Sequence, residues 1–263
     1  MTKRAKREVT LGIGGFLGHD ANAALVVDGA IVAAAQEERY TRRKHDGSFP
    51  HRAIADCLAI SGLRPEDVST VVFAEKHLQS RFFDRTGRNA SRLSLLLGRA
   101  LPERWEADYL KPARALFPRA RIRSAWHHLS HVAGAFYTSS CDSAAFLCID
   151  GKGEDYNASI GRIDGERLEI VAELPWEAGL GLFYTLVTHH LGFPTFGSEY
   201  KVMGLAPYGE PRFVDRLRSI LTTDDRGAVR LLAPVGFISP EMEAGIAVVE
   251  RGTGMPRRKS GDP

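Results

Sequence analysis

Residues 19–29 read HDANAALVVDG, and residues 154–165 repeat the phrase as EDYNASIGRIDG with one residue inserted, at an offset of about 135 positions. In each copy an alternating apolar run ends in Asp-Gly and a second alternating run follows, which is the pattern of strand, tight turn and strand. Asp-Gly suits such a turn because both of its residues tolerate the positive φ angles that a two-residue hairpin requires. Working outward, Val9 to Phe16, Ala23 to Val27 and Ile31 to Ala35 predict one three-stranded meander. Ala144 to Ile149, Asn157 to Ile163 and Leu168 to Leu174 predict another. A repeat this long implies a duplicated lobe, since solenoid repeats run about 20 to 50 residues. The competing reading is coincidence between two meanders of a common kind.

Between the copies, Pro50 to Ile60 has helical spacing through Ile54, Cys57 and Leu58, Pro65 breaks it, and Thr70 to Ala74 predicts a fourth strand. A helical region follows, then a fifth strand over Arg121 to Ala125 that runs directly into a helix with the stripe Leu129, Val132, Ala133, Phe136 and Tyr137. After the second meander, Leu180, Phe183, Tyr184, Val187 and Leu191 mark an amphipathic helix. From Val249 the chain is nearly devoid of apolar residues and is expected to be disordered. The expected organisation is a first lobe over 1–142, a partial second lobe over 143–248 and a tail over 249–263.

The composition, 44% hydrophobic and 25% charged over 263 residues, is that of a soluble globular chain and excludes collagen-like and disulfide-scaffold classes. No apolar run approaches the ~20 residues that span a bilayer. The basic start, Met1 to Arg7, leads into an alternating strand pattern instead of a secretory signal. Cys57, Cys141 and Cys148 have the spacing of neither a disulfide framework nor a zinc knuckle, so a cytoplasmic location is expected. The net charge is 35 − 32 = +3, yet Lys76 to Arg123 holds twelve Lys/Arg against four Asp/Glu, a local +8 that leaves −5 elsewhere. Such a block suits a phosphate-bearing ligand or, more simply, a solvated arginine-rich helical face. No aromatic interleaving or recognisable binding module directs it to nucleic acid.

Four stretches could carry chemistry. His127, His128 and His131 open the helix after the fifth strand. Residues four apart lie ~40° apart around a helix, so His127 and His131 share a face while Leu129 points to the core. Two imidazoles on one face suit iron, zinc or copper better than magnesium or calcium, and a carboxylate would complete the set. The plainer reading is a pair of packing histidines at a helix start. Asp150-Gly151-Lys152-Gly153-Glu154 follows an apolar strand at once. Its carboxylate would project into the crevice where α/β folds bind ligands, and its glycines would let backbone N–H groups approach an anion. An ordinary Asp-Gly turn is the alternative. In Gly14-Gly15-Phe16-Leu17-Gly18-His19-Asp20-Ala21-Asn22, His19 is a candidate proton-transfer group, since an imidazole can act as acid or base near neutral pH, or could simply be a solvated turn histidine. Gly197 to Gly209 reads as a glycine-rich loop in which Glu199, Lys201 and Gly204 suit an adenylate or phosphate, or form a surface salt bridge of little energy.

Five phrases in order resemble one family, the O-carbamoyltransferases that include nodulation protein U and the carbamoyltransferases of antibiotic biosynthesis. They are Gly18-His19-Asp20-Ala21, Gln36-Glu37-Glu38-Arg39, His127-His128-Leu129-Ser130-His131, Asp150-Gly151-Lys152-Gly153-Glu154 and Ser198 to Gly209. The resemblance covers residues 9 to about 210. It implies an α/β fold of the actin/hexokinase type (ASKHA), with duplicated lobes, mixed sheets and a second lobe that is incomplete here. It implies use of ATP and carbamoyl phosphate to form carbamoyl adenylate, whose carbamoyl group passes to a hydroxyl of a sugar or antibiotic-like acceptor. By the same resemblance His127 and Asp150 hold ferrous iron with His131 beside them, and His19 is the catalytic histidine near the acceptor. Gly151, Gly153, Glu154, Glu199, Lys201 and Gly204 would help to hold the nucleotide. Family members are considerably longer, and the part without a counterpart here includes a further aspartate ligand and the domain that processes carbamoyl phosphate. A separately encoded carboxyl-terminal half is therefore an expected partner, and metal should bind weakly to the ligands present. Two other readings are a catalytically silent fragment that serves in binding or assembly, and a sugar kinase or other ATPase of the same fold. The kinase reading leaves the paired histidines without a purpose.

Overall fold

In a computed structural model of the chain, the residues described are 7–15, 19–74, 106–151, 153, 156–175, 179–195, 197–223, 229–231 and 239–259. The contacts divide it into two compact units, Met1–Ser130 and His131–Pro263. This division falls earlier than the expected lobe boundary at 142/143.

Unit 1 is built on a five-stranded sheet in the order β3-β2-β1-β4-β5, with β1 (Val9–Gly14), β2 (Asn22–Val27), β3 (Ala30–Gln36), β4 (Thr70–Phe73) and β5 (Arg121–Ser124). The first three strands pair antiparallel, while β4 runs parallel to β1 and β5 parallel to β4. This is the mixed sheet expected of an actin/hexokinase-type lobe. The first hairpin turns on Asp28 and Gly29, at φ 49° and 84°, the positive pair predicted from sequence. β1 alternates strictly, and Val9, Leu11 and Ile13 are buried. They pack with Leu25, Val71 and Phe73 beneath α2 (His51–Ser61) and α3 (Lys111–Leu116). Each fully buried Leu, Ile or Val contributes about 1.5–3 kcal/mol. A short helix, α1 (Glu38–Thr41), follows β3. The buried Glu37 carboxylate then accepts from the backbone N–H groups of Arg52 and Ala53 at 3.0 and 2.8 Å, satisfying the exposed start of α2. Most of the arginine-rich block predicted between Lys76 and Arg123 lies outside the described residues.

A loop over residues 42–48 is tied to the sheet by Asp46. Its Oδ1 accepts from Ser48 N and Oγ at 3.0 and 2.7 Å, Arg43 Nη2 lies 2.9 Å from Oδ2, and its carbonyl accepts from Ala21 N at 2.7 Å. Burial opposes ionisation of Asp46, but hydrogen bonds from Ser48 and Thr41 and the Arg43 charge outweigh it and hold the carboxyl well below the usual range. A group depressed in the folded state contributes stability above its unfolded pKa, about 3.9, and loses it as the pH falls below that value. The urea midpoint of the chain should therefore drop between about pH 5 and pH 3, and Asp46→Asn should flatten that drop. An identical pH slope in the variant would remove Asp46 as its source.

α4 (His127–Phe136) follows β5. Its buried residues are His128, Val132 and Phe136, whereas Tyr137 is exposed and Leu129 is partly exposed. The apolar stripe predicted through Leu129 and Tyr137 is thus rotated by about one residue, because His128 occupies a core position. Unit 2 begins its sheet with β6 (Ser143–Ile149), β7 (Tyr156–Asp164) and β8 (Arg167–Pro175), an antiparallel meander that repeats β1-β2-β3 as predicted. α5 (Leu180–His190), α6 (Glu199–Leu205), α7 (Val214–Arg218), the β9–β10 hairpin (Leu221–Thr223 and Val229–Leu231) and α8 (Ser239–Thr253) complete it. Leu186, Ile220, Ile246 and Val249 form a core cluster in it.

The tail expected to be disordered from Val249 is ordered over residues 249–259. Val249 and Thr253 are buried in the last turn of α8, and the backbone N–H groups of Arg257 and Arg258 donate to Glu250 Oε1 and the His190 carbonyl. A low apolar fraction misled here, because two well-placed inward residues suffice to seat a helix end. Among the described residues no helix is long and apolar enough to cross a membrane.

Candidate metal centre

α4 follows β5 after only two residues, so the helix start is delivered to the carboxyl end of the parallel strands. His127 and His131 occupy one face of it, one turn apart, as the i, i+4 spacing dictates. Asp150 follows the last residue of β6, and its backbone N–H donates to the Asn157 carbonyl at 2.8 Å, which fixes it at the end of the ladder. His131 Nε2 lies 3.4 Å from Asp150 Oδ2. Each of His127, His131 and Asp150 offers a ligand atom, and these atoms all lie within 4.8 Å of one another. Two imidazole nitrogens and one carboxylate oxygen form a donor set suited to a divalent transition metal with coordination positions to spare.

Asp150 is braced from two sides. The N–H of Gly151 donates to its Oδ1 at 2.6 Å. Below it, Gly181 in the first turn of α5 passes so close that a β-carbon there would stand 2.7 Å from the Asp150 carbonyl carbon and 2.8 Å from Gly151 Cα. Gly181 is thus a site-supporting residue not singled out from sequence, where a glycine inside a helical pattern reads as a weakness. The neighbouring Cys148 thiol is pushed up to about 11, by burial first and then by the Asp150 charge.

His19 belongs to unit 1, with a network of its own. Its Nδ1 lies 3.0 Å from Asp20 Oδ2, and His45 Nδ1 lies 3.0 Å from Asp20 Oδ1. A carboxylate only accepts, so both Nδ1 atoms carry the proton in these bonds. Burial opposes ionisation of Asp20, but the hydrogen bonds from His19 and His45 hold its carboxyl below the ordinary range. Asp20, Glu38 and His45 also place ligand atoms within 4.8 Å of one another. Glu38 is taken up by Lys44 Nζ at 3.1 Å and by the N–H of His45 at 2.9 Å, so that group reads as the brace of the 42–48 loop. His45 was not anticipated from sequence, since nothing in Lys44-His45-Asp46 announces a fold-back onto residue 20.

The remaining predicted residues divide. Gly151 and Gly153 sit in the turn after β6, and the Gly153 N–H donates to the Tyr156 carbonyl at 2.8 Å. Glu154 lies outside the described residues. Glu199, Lys201 and Gly204 lie on α6, which corrects the expected loop. Glu199 to Met203 are five side chains compatible with helix, the run begins after Ser198, and an acidic residue opens it. Glu199 Oε1 accepts from Thr185 Oγ1 at 2.7 Å, and Lys201 Nζ stands 5.6 Å from the centre of the Phe193 ring.

Comparison with known proteins agrees with the motifs. The family model described as carbamoyltransferase N-terminus matches residues 9–232. The chain belongs to the carbamoyltransferase family. It is 39% identical over 237 residues to the uncharacterized protein sll1178 of Synechocystis, covering 84% of this chain and 38% of that one. It is 34% identical over 199 residues to the nodulation protein NolNO of Sinorhizobium fredii, covering 73% and 28%. This carbamoyltransferase chain therefore spans well under half the length of these relatives. Among solved structures it is similar to component A of (R)-2-hydroxyglutaryl-CoA dehydratase from Acidaminococcus fermentans, at 16% identity, a TM-score of 0.36 and coverage of 97% of this chain and 92% of that one.

Proposed function

We propose that this chain is the amino-terminal part of an ATP-dependent O-carbamoyltransferase. It would act on carbamoyl adenylate formed from ATP and carbamoyl phosphate, passing the carbamoyl group to a hydroxyl of a sugar or antibiotic-like acceptor as the bond to the phosphate oxygen breaks and AMP leaves. The observation that carries the reading is the convergence of His127, His131 and Asp150 within 4.8 Å in a chain of this family. Those three residues would hold ferrous iron. The metal, when bound, supplies Lewis-acid polarisation of a carbonyl oxygen.

The chain's own residues do the rest. Asp20 holds the proton on Nδ1 of His19, so Nε2 is the nitrogen that accepts the proton of the attacking hydroxyl, in the manner of an oriented general base. His45 bonds the second oxygen of Asp20, which keeps that carboxylate ionised and aimed. Gly181 and the Gly151 N–H fix Asp150, limiting the rearrangement needed on loading. Gly151, Gly153 and the charged pair Glu199 and Lys201 would contact the nucleotide, with Glu154 a further candidate in the same turn.

The direct test is the purified chain supplied with pre-formed carbamoyl adenylate and a panel of hydroxylated acceptors, with and without ferrous ion. Product that depends on ferrous ion is expected. The chain's coverage of only 38% and 28% of its relatives favours one other reading, a binding or assembly piece without activity. No product from the adenylate under any condition would decide for that reading.

A further inference from the structure

Asp20 and His45 both hold a positive φ, 55° in each case. A side chain in the left-handed region is strained, and it persists there only where its surroundings over-determine it. The two residues share the 3.0 Å bond between Oδ1 and Nδ1, so the strain meets at the carboxylate that also holds His19. Backbone donors fix the pair further. Ala21 N donates to the Asp46 carbonyl at 2.7 Å, and His45 N donates to Glu38 Oε2 at 2.9 Å.

A side chain distant in sequence reaches both segments. Tyr109, in the helical turn Glu106–Leu110 that precedes α3, is 2% exposed. Its ring meets those of Phe49 and Phe73 edge-on, with centroids 5.8 and 6.4 Å away. Its hydroxyl donates to the Gly47 carbonyl at 2.6 Å and stands 3.2 Å from the Gly15 carbonyl. Gly47 belongs to the loop that carries His45. Gly15, at φ 86°, is stacked on the chain next to His19, where a β-carbon would collide with the Asp20 carbonyl oxygen and Ala21 Cα. For packing alone a phenylalanine would serve at position 109, because edge-on ring contacts need no oxygen. The oxygen is spent on the carbonyls of the two segments that aim Asp20.

We propose that Tyr109 is a positioning residue for His19. Its hydroxyl locks the 42–48 loop against Gly15, so that the Asp20 carboxylate stays between His45 and His19 and the His19 proton stays on Nδ1. The inference rests on the reading of His19 as the base of the transfer and adds the residue that keeps that base oriented. Its main readout is the tautomer of His19, which can be measured whether or not the chain transfers a carbamoyl group.

The full chain is compared with Tyr109→Phe and with Ser69→Ala, a control that removes a hydroxyl bond to the Val9 carbonyl at the far end of β1. Long-range proton–nitrogen spectra at about pH 8, where an unperturbed imidazole is neutral, give the ratio of Nδ1–H to Nε2–H at His19. The wild type should hold the Nδ1–H form in excess, Tyr109→Phe should lower the ratio by about tenfold or more, and Ser69→Ala should leave it within about twofold. Tyr109→p-aminophenylalanine returns a donor to the same place and should restore the ratio. With pre-formed carbamoyl adenylate, Tyr109→Phe should lower kcat by about tenfold or more at an unchanged acceptor KM. A lowered ratio with kcat unchanged would uphold the positioning and sink the reading of His19 as the base. One measurement needs no variant: in the wild type a single opening frees the amides of Ala21 and His45, so their exchange protection should agree within about tenfold. The proposal is overturned if Tyr109→Phe keeps the wild-type tautomer ratio, if Ser69→Ala lowers it as much, or if the two amides differ in protection by more than that factor.

Discussion

Alanine at His131, at Asp150 or at His127 should each strip ferrous ion from the chain. One donor of three is lost in each case, and the two that remain can neither neutralise the ion nor fix its geometry, so affinity should fall by about a hundredfold or more. Asp150→Ala should be the most severe, because it removes the only negative charge of the trio. Metal content after equilibrium dialysis is the measurement, with His51→Ala on the exposed start of α2 as a control that retains wild-type content. A variant that keeps its metal takes that residue out of the ligand set. Because deletion of an exposed side chain seldom unfolds a protein, and His131 is 57% exposed, the loss can be read as a loss of ligation.

His19→Asn should leave metal content untouched and lower carbamoyl transfer by about 10²- to 10⁴-fold, the usual contribution of a positioned general base. Asparagine keeps a polar group near Asp20 but supplies no nitrogen that takes up a proton near neutral pH. Asp20→Asn is the informative companion. It removes the acceptor that holds the proton on Nδ1, so the rate should fall while the acceptor KM changes little, as expected for an orienting group. Wild-type turnover in His19→Asn, measured with pre-formed carbamoyl adenylate, would end the assignment of His19 as the base.

Much of the fold was legible because its decisive signals are local. Asp28-Gly29 forced a hairpin, strict alternation in β1 marked a half-buried strand, and the recurrence of both around Asn157 announced the second meander. The metal trio was legible in part: the i, i+4 spacing of His127 and His131 is a helix property, and Asp150 stands at a strand end. The Asp20–His45 bond joins residues 25 apart through a loop with positive φ at Arg42 and His45, and no periodicity carries such information. α6 was misread because Gly204 and Pro207 looked like loop punctuation, although the helix stops at Leu205 and Pro207 follows it. α8 was missed because Gly245 and Gly252 dilute its stripe and its buried residues, Ile246, Val249 and Thr253, are only one apolar step short of a polar helix. Its opening, Ser239-Pro240-Glu241, is a recognisable helix start that outweighed composition in the folded chain.

The three thiols differ sharply in accessibility. Cys57 and Cys148 are buried and have raised pKa values, while Cys141 is exposed, two residues before β6 begins. A maleimide dye applied to the native chain should therefore label a single position, just ahead of β6. The wild-type protein thus offers one site for a fluorescent label, with no cysteine to add or remove.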